Sequence, residues 1–252
     1  MSASYDRIGV GYSITRRADP RIEARIVNAL GDAASVANIG AGAGSYEPRG
    51  PHLRVVAVEP SGVMIRQRAP GASPVIQGVA EALPLATGSV DAALAILTVH
   101  HWTDPRRGLA EMRRIARKHV VIFSWDQDAW ESFWLVREYL PCIRDLDRPR
   151  ALAVAEIRSV VGPCQVLPVP IPFDCRDGFH GAFWRRPEAY LDPRVRAAIS
   201  TYAEMPARER DQGLERLCAD IESGRWAADH GDLLGLEELD VGYRLIVVDE
   251  PT

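Results

Sequence analysis

The spacing of apolar residues in the first half of the chain predicts strands that alternate with helices. Asp19 and Pro20 precede RIEARIVNAL, in which apolar side chains recur every four residues, so we expect a helix there. Asp104 precedes a second helical pattern, RRGLAEMRRIARK, with apolar side chains on one face and arginines on the other. Compact apolar runs typical of buried parallel strands occupy 35–40, 53–59, 90–99 and 119–125. This order predicts an α/β fold with a doubly wound, mostly parallel sheet.

The second half of the chain has a different pattern, with aromatic helical segments at 128–140 and 151–162. The run 165–173 contains three prolines, which suits a strand at the edge of a sheet. We expect it to pair with the last strand, 243–250, so that the residues between them form an insertion suited to a lid. The predicted organisation is an N-terminal flap and first helix at 1–34, an α/β core at 35–173, a helical lid at 174–240 and a final edge strand at 241–252.

Composition narrows the classes of function. The 252 residues carry a net charge of −4, whereas a broad grip on phosphates needs clustered positive charge, so nucleic acid is not an expected partner. The longest near-apolar run, 90–99, is about half the ~20 residues that cross a bilayer, and the N-terminal segment lacks the apolar core of a secretory signal. The four cysteines are scattered without metal-ligand spacing, so neither a metal nor a disulfide is predicted. We therefore expect a cytoplasmic protein with no membrane partner.

A glycine-rich loop follows the first predicted strand, in VANIGAGAGSYEP. Gly40, Gly42 and Gly44 let the backbone turn tightly and let a ligand approach its N–H groups. A dinucleotide-binding fingerprint has its third glycine at the sixth position, whereas this chain has it at the fifth, which disfavours a nicotinamide oxidoreductase. The next strand ends at Glu59 and Pro60, where a carboxylate can accept hydrogen bonds from a ribose diol.

Residues 36–125 resemble the class I S-adenosylmethionine-dependent methyltransferases that act on small molecules. The shared features are the GxGxG loop, the acidic strand end VVAVEPS, the segment AEALPL before an SVD strand, and HHWTD leading into a helix. The resemblance implies a seven-stranded Rossmann-like sheet, S-adenosylmethionine as cofactor and a small-molecule methyl acceptor as partner, and it leaves the oligomeric state open. The layout of the second half resembles the trans-aconitate methyltransferase branch, without a matching substrate motif.

The resemblance also implies which residues bind the cofactor. The loop would face the methionine part, and the acidic strand end would bind the ribose hydroxyls. Asn38 and Val79 stand where the family usually has acidic side chains, so those contacts pass to an amide at the first position and to the backbone or a neighbouring residue at the second. An N-terminal flap would bring Arg16 or Arg17 to the cofactor carboxylate, the alternative being an arginine paired with acids on the surface. The full predicted set is Tyr12, Arg16, Asn38, Gly40, Ala41, Gly42, Gly44, Glu59, Pro60, Ala80, Glu81 and Thr98.

Two adjacent histidines follow the apolar run 90–99. Strand alternation carried through them puts Thr98 and His100 on one face and His101 on the other. We therefore expect His100 to face the cofactor, where a neutral imidazole could accept a proton from a hydroxyl or an amine, and His101 to contact the acceptor. The alternative for both is packing and hydrogen bonding at a corner between strand and helix.

Aromatic side chains in the second half are candidates for an acceptor pocket. Trp125, Phe183 and Trp184 are the predicted acceptor contacts, and Arg185 and Arg186 could clamp a carboxylate. Helical spacing makes core packing the alternative for most aromatic residues of this half.

Three functions remain open at this point. The leading hypothesis is methyl transfer from S-adenosylmethionine to an oxygen, nitrogen or carbon atom of a small metabolite. A non-catalytic cofactor-binding or scaffold protein remains an alternative, because Asn38, Val79 and Ile96 replace polar residues that relatives often have. An RNA methyltransferase is disfavoured by the acidic pI of about 5.9.

Overall fold

A seven-stranded sheet forms the centre of the molecule, as the computed structural model describes it for residues 16–130, 132–149 and 152–249. Its strands, in chain order, are β1 (Ser35–Ile39), β2 (Arg54–Glu59), β3 (Val75–Gln77), β4 (Val90–Ile96), β5 (Ala116–Trp125), β6 (Gln165–Pro168) and, after two short strands described below, β9 (Tyr243–Asp249). The spatial order is β3-β2-β1-β4-β5-β9-β6. β9 runs antiparallel to both of its neighbours, β5 and β6, and the other neighbouring pairs are parallel. The prediction of a mostly parallel, seven-stranded α/β sheet is confirmed.

Helices cover both faces of this sheet. The helices are α1 (Pro20–Ala29), α2 (Gly62–Arg66), α3 (Pro105–Ile115), α4 (Gln127–Trp130), α5 (Cys142–Asp147), α6 (Val154–Val161), α7 (Pro193–Ala197), α8 (Ser200–Glu204), α9 (Ala207–Glu222) and α10 (Arg225–Asp229). The side chain of Asp19 caps α1, and that of Asp104 caps α3, as the two sequence patterns predict. One apolar cluster joins α1 to the sheet, and a second joins α3 and α6 to the opposite face. None of the described helices is long and apolar enough to cross a membrane.

Two boundaries in the core differ from the prediction. β4 ends at Ile96 and not at Val99, because Leu97 adopts a left-handed φ of 49° and a 3₁₀ turn spans Val99–His101. β5 begins at Ala116, immediately after α3, because this residue already pairs with Val90 of β4. The apolar pattern alone does not reveal these switches, since Leu97 and Val99 are apolar like the strand before them, and Arg117 and Lys118 continue the basic pattern of α3.

The predicted pairing of the proline-rich run with the last strand is confirmed, and its detail is corrected. β6 pairs antiparallel with β9, but β9 lies between β5 and β6, so the edge strand is β6 and not the last strand. The proline-rich run also divides after Pro168. Its remainder forms β7 (Ile171–Pro172), which pairs with β8 (Glu238–Leu239) in a separate two-stranded ribbon. The insertion, residues 174–237, therefore begins just after β7 and ends just before β8.

The second half of the chain packs as a helical layer rich in aromatic side chains. The predicted helix 128–140 is divided into α4 at its beginning and a π-helical turn, Leu135–Tyr139, near its end. The buried Trp134 contacts Tyr190 and Trp226 of the insertion edge to face, with ring centroids 5.9 and 5.2 Å apart. Such contacts fix the insertion against the sheet, and α9 adds Leu217 to the same apolar cluster.

A carboxylate at the start of β4 fixes the backbone at the start of β1. Asp91 accepts hydrogen bonds from the backbone N–H of Ala34 and Ser35 at 2.9 and 3.1 Å, and it pairs with Arg117 at 2.8 Å. The adjacent guanidinium and these hydrogen bonds outweigh burial and lower the pKa of Asp91 from 3.8 to about 2.

We predict that Asp91→Asn lowers the free energy of unfolding at neutral pH by about 1–2 kcal/mol, the lower end reflecting solvent screening of the half-exposed Arg117. A depressed pKa contributes stability above the unfolded-state pKa, and that contribution is lost as the pH falls through the folded-state pKa. The wild-type protein should therefore lose this increment between about pH 4 and pH 2, and the variant should not.

Urea unfolding at a series of pH values measures this difference. Asp32→Asn is the matched control, because Asp32 pairs with Lys118 on the open surface and its loss should leave stability nearly unchanged. Equal changes in the free energy of unfolding for the two variants would contradict this role of Asp91.

Candidate functional site

The candidate site lies where the chain order of the sheet reverses. β1 and β4 are neighbours, while β2 and β3 continue to one side and β5 to the other. Ligands of open α/β sheets bind in the crevice at the carboxyl ends of such strands. Here the crevice is a cavity of about 520 Å³, which we call the first cavity. Its size is within the range of small-molecule sites.

The glycine loop forms the floor of the first cavity. Gly40, Gly42 and Gly44 have positive φ angles of 66°, 53° and 91°. The N–H of Gly40 donates to the carbonyl of Val58 at 2.8 Å, which ties the loop to β2. A Cβ on Gly40 would lie 2.1 Å from Oγ1 of Thr98, which follows β4. Only glycine permits this close approach, so the loop leaves space for a ligand above it.

Glu59 connects the loop to the end of β2. Its two carboxylate oxygens accept hydrogen bonds from the N–H groups of Gly42 and Ser61, at 2.8 and 2.9 Å. The side chain is buried yet lines the first cavity. A carboxylate has about four lone-pair positions, so the same group can hold the loop and also accept a hydrogen bond from a ligand.

A buried ion pair supports the loop from outside. Arg68 contacts both carboxylate oxygens of Glu47 at 2.7 Å, and the two side chains are 5% and 2% exposed. The same guanidinium donates to the carbonyl of Gly42 at 3.3 Å. The pair therefore fixes the return of the loop, and removing one partner would leave a buried charge.

The opposite wall comes from the segment after β3 and the segment before α3. A 3₁₀ turn, Ala80–Ala82, presents Ala80 and Glu81 to the first cavity. Glu81 accepts hydrogen bonds from the N–H groups of Thr103 and Asp104, at 2.6 and 3.1 Å. The carboxylate thus joins the two segments into one wall.

The structure gathers most of the predicted cofactor residues around the first cavity. Ten of them line it: Arg16, Asn38, Gly40, Ala41, Gly42, Glu59, Pro60, Ala80, Glu81 and Thr98. Gly44 is not in the lining, and its φ serves the turn of the loop. Tyr12 lies outside the described residues. Arg16 lines the cavity but forms a forked ion pair with Asp177, at 2.7 and 3.2 Å, so this guanidinium is committed to a protein carboxylate.

The strand parity that we expected for the histidines is wrong, because β4 ends before them. His101 faces the first cavity, and His100 lines a smaller second cavity of about 60 Å³. The two rings lie 3.7 Å apart between centroids. Arg16 and Leu97 line both cavities, so the cavities lie side by side. The left-handed Leu97 reverses the sides that we expected for the two histidines, and no apolar pattern signals it.

Trp125 lines the second cavity, whereas the other predicted acceptor contacts do not. Trp184 is fully buried, and its indole N–H donates to the carbonyl of Ile171 at 2.8 Å. Phe183 packs against Tyr190 and lies in neither lining.

The carboxylate clamp that we expected from Arg185 and Arg186 is also wrong. Arg185 donates to the carbonyls of Leu234 and Leu236. Arg186 donates to those of Cys175 and Ala182. Both arginines hold the insertion together through its backbone.

The sequence did not single out several lining residues. Met64, Leu97 and Trp102 line the first cavity, and His180 and Tyr243 line the second. Met64 follows the capping Ser61, and Trp102 stands within HHWTD, so their neighbouring motifs carried a signal. His180 and Tyr243 come from the insertion and from β9, which meet only in the folded chain.

These features define a Rossmann-like α/β protein whose glycine loop and acidic strand end fit the adenosyl part of a cofactor. A family model described as a methyltransferase domain matches residues 37–123. A crystal structure from Anabaena variabilis ATCC 29413, provisionally named a methyltransferase from an antibiotic biosynthesis pathway, is 35% identical with a TM-score of 0.84. The match covers 93% of this chain and 98% of that one.

Two further comparisons also match proteins described as methyltransferases. A curated protein of Mycolicibacterium gilvum, provisionally named an S-adenosyl-L-methionine-dependent methyltransferase, is 31% identical over 127 residues, which is 49% of each chain. The match thus spans about half the length of that relative. A methyltransferase structure from Bacillus halodurans C-125 is 13% identical with a TM-score of 0.53, which indicates the fold alone.

The chain therefore belongs to the class I S-adenosylmethionine-dependent methyltransferases, and S-adenosylmethionine is its cofactor. The residues around the first cavity fit this group, because two glycines, Gly40 and Gly42, leave the floor without side chains at these positions and the carboxylate of Glu59 stands at the wall. The likeness to the trans-aconitate branch stays a prediction.

We predict that Gly40→Ala weakens binding of S-adenosylhomocysteine at least about ten-fold, because the added methyl displaces the loop from Thr98 and its hydrogen bonds to the ligand are lost. Gly71→Ala is the control, since Gly71 also has a positive φ, 80°, but a Cβ there meets no atom within 4 Å. Titration calorimetry should give a near-normal affinity for the control. Equal losses in both variants would show that backbone strain and not the contact with Thr98 matters.

We also predict that Glu59 recognises the ribose. The wild-type protein should bind S-adenosylhomocysteine about ten-fold more tightly than its 2′-deoxyribose analogue, because a hydrogen bond to a charged group contributes about 1.5–3 kcal/mol. Glu59→Ala should abolish that preference and weaken both ligands. Glu81→Ala, which removes another carboxylate of the same lining, should keep the preference. A preserved preference in Glu59→Ala would contradict the assignment.

Proposed function

We propose that the protein transfers the methyl group of S-adenosylmethionine to a small molecule that binds in the second cavity. The observation that carries this proposal is the position of that cavity. It adjoins the first cavity through Leu97 and Arg16, and the insertion covers it with Phe179, His180 and residues 198–201. A cavity of about 60 Å³ under a helical cover admits part of a metabolite and excludes a folded macromolecule.

The chemistry asks little acid–base work of the protein. When bound, S-adenosylmethionine supplies an electrophilic methyl carbon on a sulfonium, so a lone pair of the acceptor forms the new bond while the electron pair of the carbon–sulfur bond stays on sulfur. The chain must align the acceptor at about 3–3.5 Å and keep water out. The glycine loop, Leu97 and the cover of the second cavity perform these two tasks.

A hydroxyl or amine acceptor also has to release a proton. We propose that His100 receives it, because its ring lines the second cavity beside Trp125, with centroids 4.5 Å apart. His101 faces the first cavity and would contact the cofactor side of the acceptor. A carbon or thiolate acceptor would need His100 less, so the accepting atom and this role are tested together.

The proposal also concerns nucleic acid, which we do not expect as a partner. The net charge of −4 supports a function without nucleic acid. A cytoplasmic location stays a prediction from the sequence.

The test incubates the protein with methyl-labelled S-adenosylmethionine and, separately, with a small-metabolite filtrate and with total RNA of the source organism. We expect label in a small molecule by mass spectrometry, with no label in RNA. The Glu59→Ala variant should lose most of the transfer, because it binds the cofactor poorly. Label in RNA would contradict the acceptor class, and absence of transfer despite normal binding of S-adenosylhomocysteine would favour a non-catalytic protein.

A further inference from the structure

We propose that the second cavity binds the methyl acceptor through a neutral, planar ring that bears an oxygen, and that the indole N–H groups of Trp125 and Trp130 donate hydrogen bonds to that oxygen. The inference rests on the proposed function and adds the chemical class of the acceptor.

Three side chains of this cavity carry buried hydrogen-bonding atoms that have no partner among the described residues. The Nε1 atoms of Trp125 and Trp130 and the Nε2 atom of His180 are buried without a hydrogen-bond partner among the described residues. All three side chains line the second cavity. Trp130 and His180 are only 3% and 6% exposed. A buried polar group without a partner is costly, so three in one cavity indicate a ligand that satisfies them.

The kinds of atom decide what the ligand must carry. An indole N–H only donates, so its partner must be an acceptor such as a carbonyl, phenolic or ether oxygen. Burial lowers the pKa of His180 to about 3, so its imidazole is neutral at ordinary pH and can accept or donate one hydrogen bond at Nε2. A ligand that offers only N–H groups would leave both indoles unpaired.

The charges around the cavity disfavour an anionic ligand. The guanidinium of Arg16 is already forked onto the fully buried carboxylate of Asp177. Asp147 adds a carboxylate to the lining. Within the described lining, an anionic acceptor would therefore meet a committed cation and a repelling carboxylate.

Ring geometry favours a planar ligand. Trp130 contacts His180 and Tyr243 edge to face, at 5.3 and 5.6 Å between centroids, and Phe179 contacts Tyr243 at 4.7 Å. These rings line the second cavity together with Leu97, which also lines the first cavity. A cavity of about 60 Å³ is smaller than the roughly 150 Å³ that holds a benzene ring, so the proposed ligand places only its oxygen-bearing edge among these rings and the rest of its ring towards Leu97 and the first cavity.

The experiment uses four probes of similar size: acetophenone, ethylbenzene, benzoate and benzylamine. Each is titrated by ligand-observed NMR against the protein saturated with S-adenosylhomocysteine, whose own binding is measured first. We expect acetophenone to bind roughly three- to ten-fold more tightly than ethylbenzene, the difference that one hydrogen bond makes, and more tightly than either charged probe.

Variants then locate the effect. Trp130→Phe and Trp125→Phe should each weaken acetophenone about three-fold or more while ethylbenzene changes less than about two-fold. Trp226→Phe is the matched control, because its Nε1 is also buried and unpaired but lies in neither cavity. Unchanged binding of S-adenosylhomocysteine shows that each variant is folded.

Several results would overturn the inference. These are equal affinities for acetophenone and ethylbenzene, tighter binding of benzoate or benzylamine, absence of binding by all four probes, or loss of acetophenone binding in Trp226→Phe alone. Each of them leaves binding of S-adenosylhomocysteine intact. Failure of S-adenosylhomocysteine itself to bind would instead contradict the proposed function.

Discussion

The close approach of Gly40 to Thr98 is the constraint on which the site depends. The turn after β1 and the segment after β4 approach each other so closely that only glycine fits at position 40. The carbonyl of Val58 in β2 accepts the hydrogen bond that holds the turn there. This contact brings the ends of three strands together. Glu59 can then join the loop and face the cavity at once, so the backbone geometry and the binding chemistry share one carboxylate.

The first half of this arrangement could be predicted from the sequence because its signals are local. The glycine spacing, the acidic strand end and the caps at Asp19 and Asp104 each determine structure within a few residues. The exit from β4 could not be predicted, because Leu97 adopts a left-handed φ that its side chain does not favour. That single residue reverses the expected sides of His100 and His101.

The second half depends on contacts between residues far apart in the chain. His180 reaches the second cavity from the insertion and Tyr243 reaches it from β9, and the position of β9 between β5 and β6 decides which side chains meet. Trp184 belongs to the core for the same reason, since its partner is the backbone of β7. Aromatic composition indicates a pocket or a core equally well, and only the packing separates the two.

The glycine loop and Glu59 are the groups that we assign to the adenosyl part of the cofactor. A crystal structure of the protein with S-adenosylhomocysteine tests this assignment. We predict that both ribose hydroxyls lie within hydrogen-bonding distance of the Glu59 carboxylate, with the sulfur beside Leu97 and Thr98. A ligand bound elsewhere, or a ribose that does not contact Glu59, would contradict it.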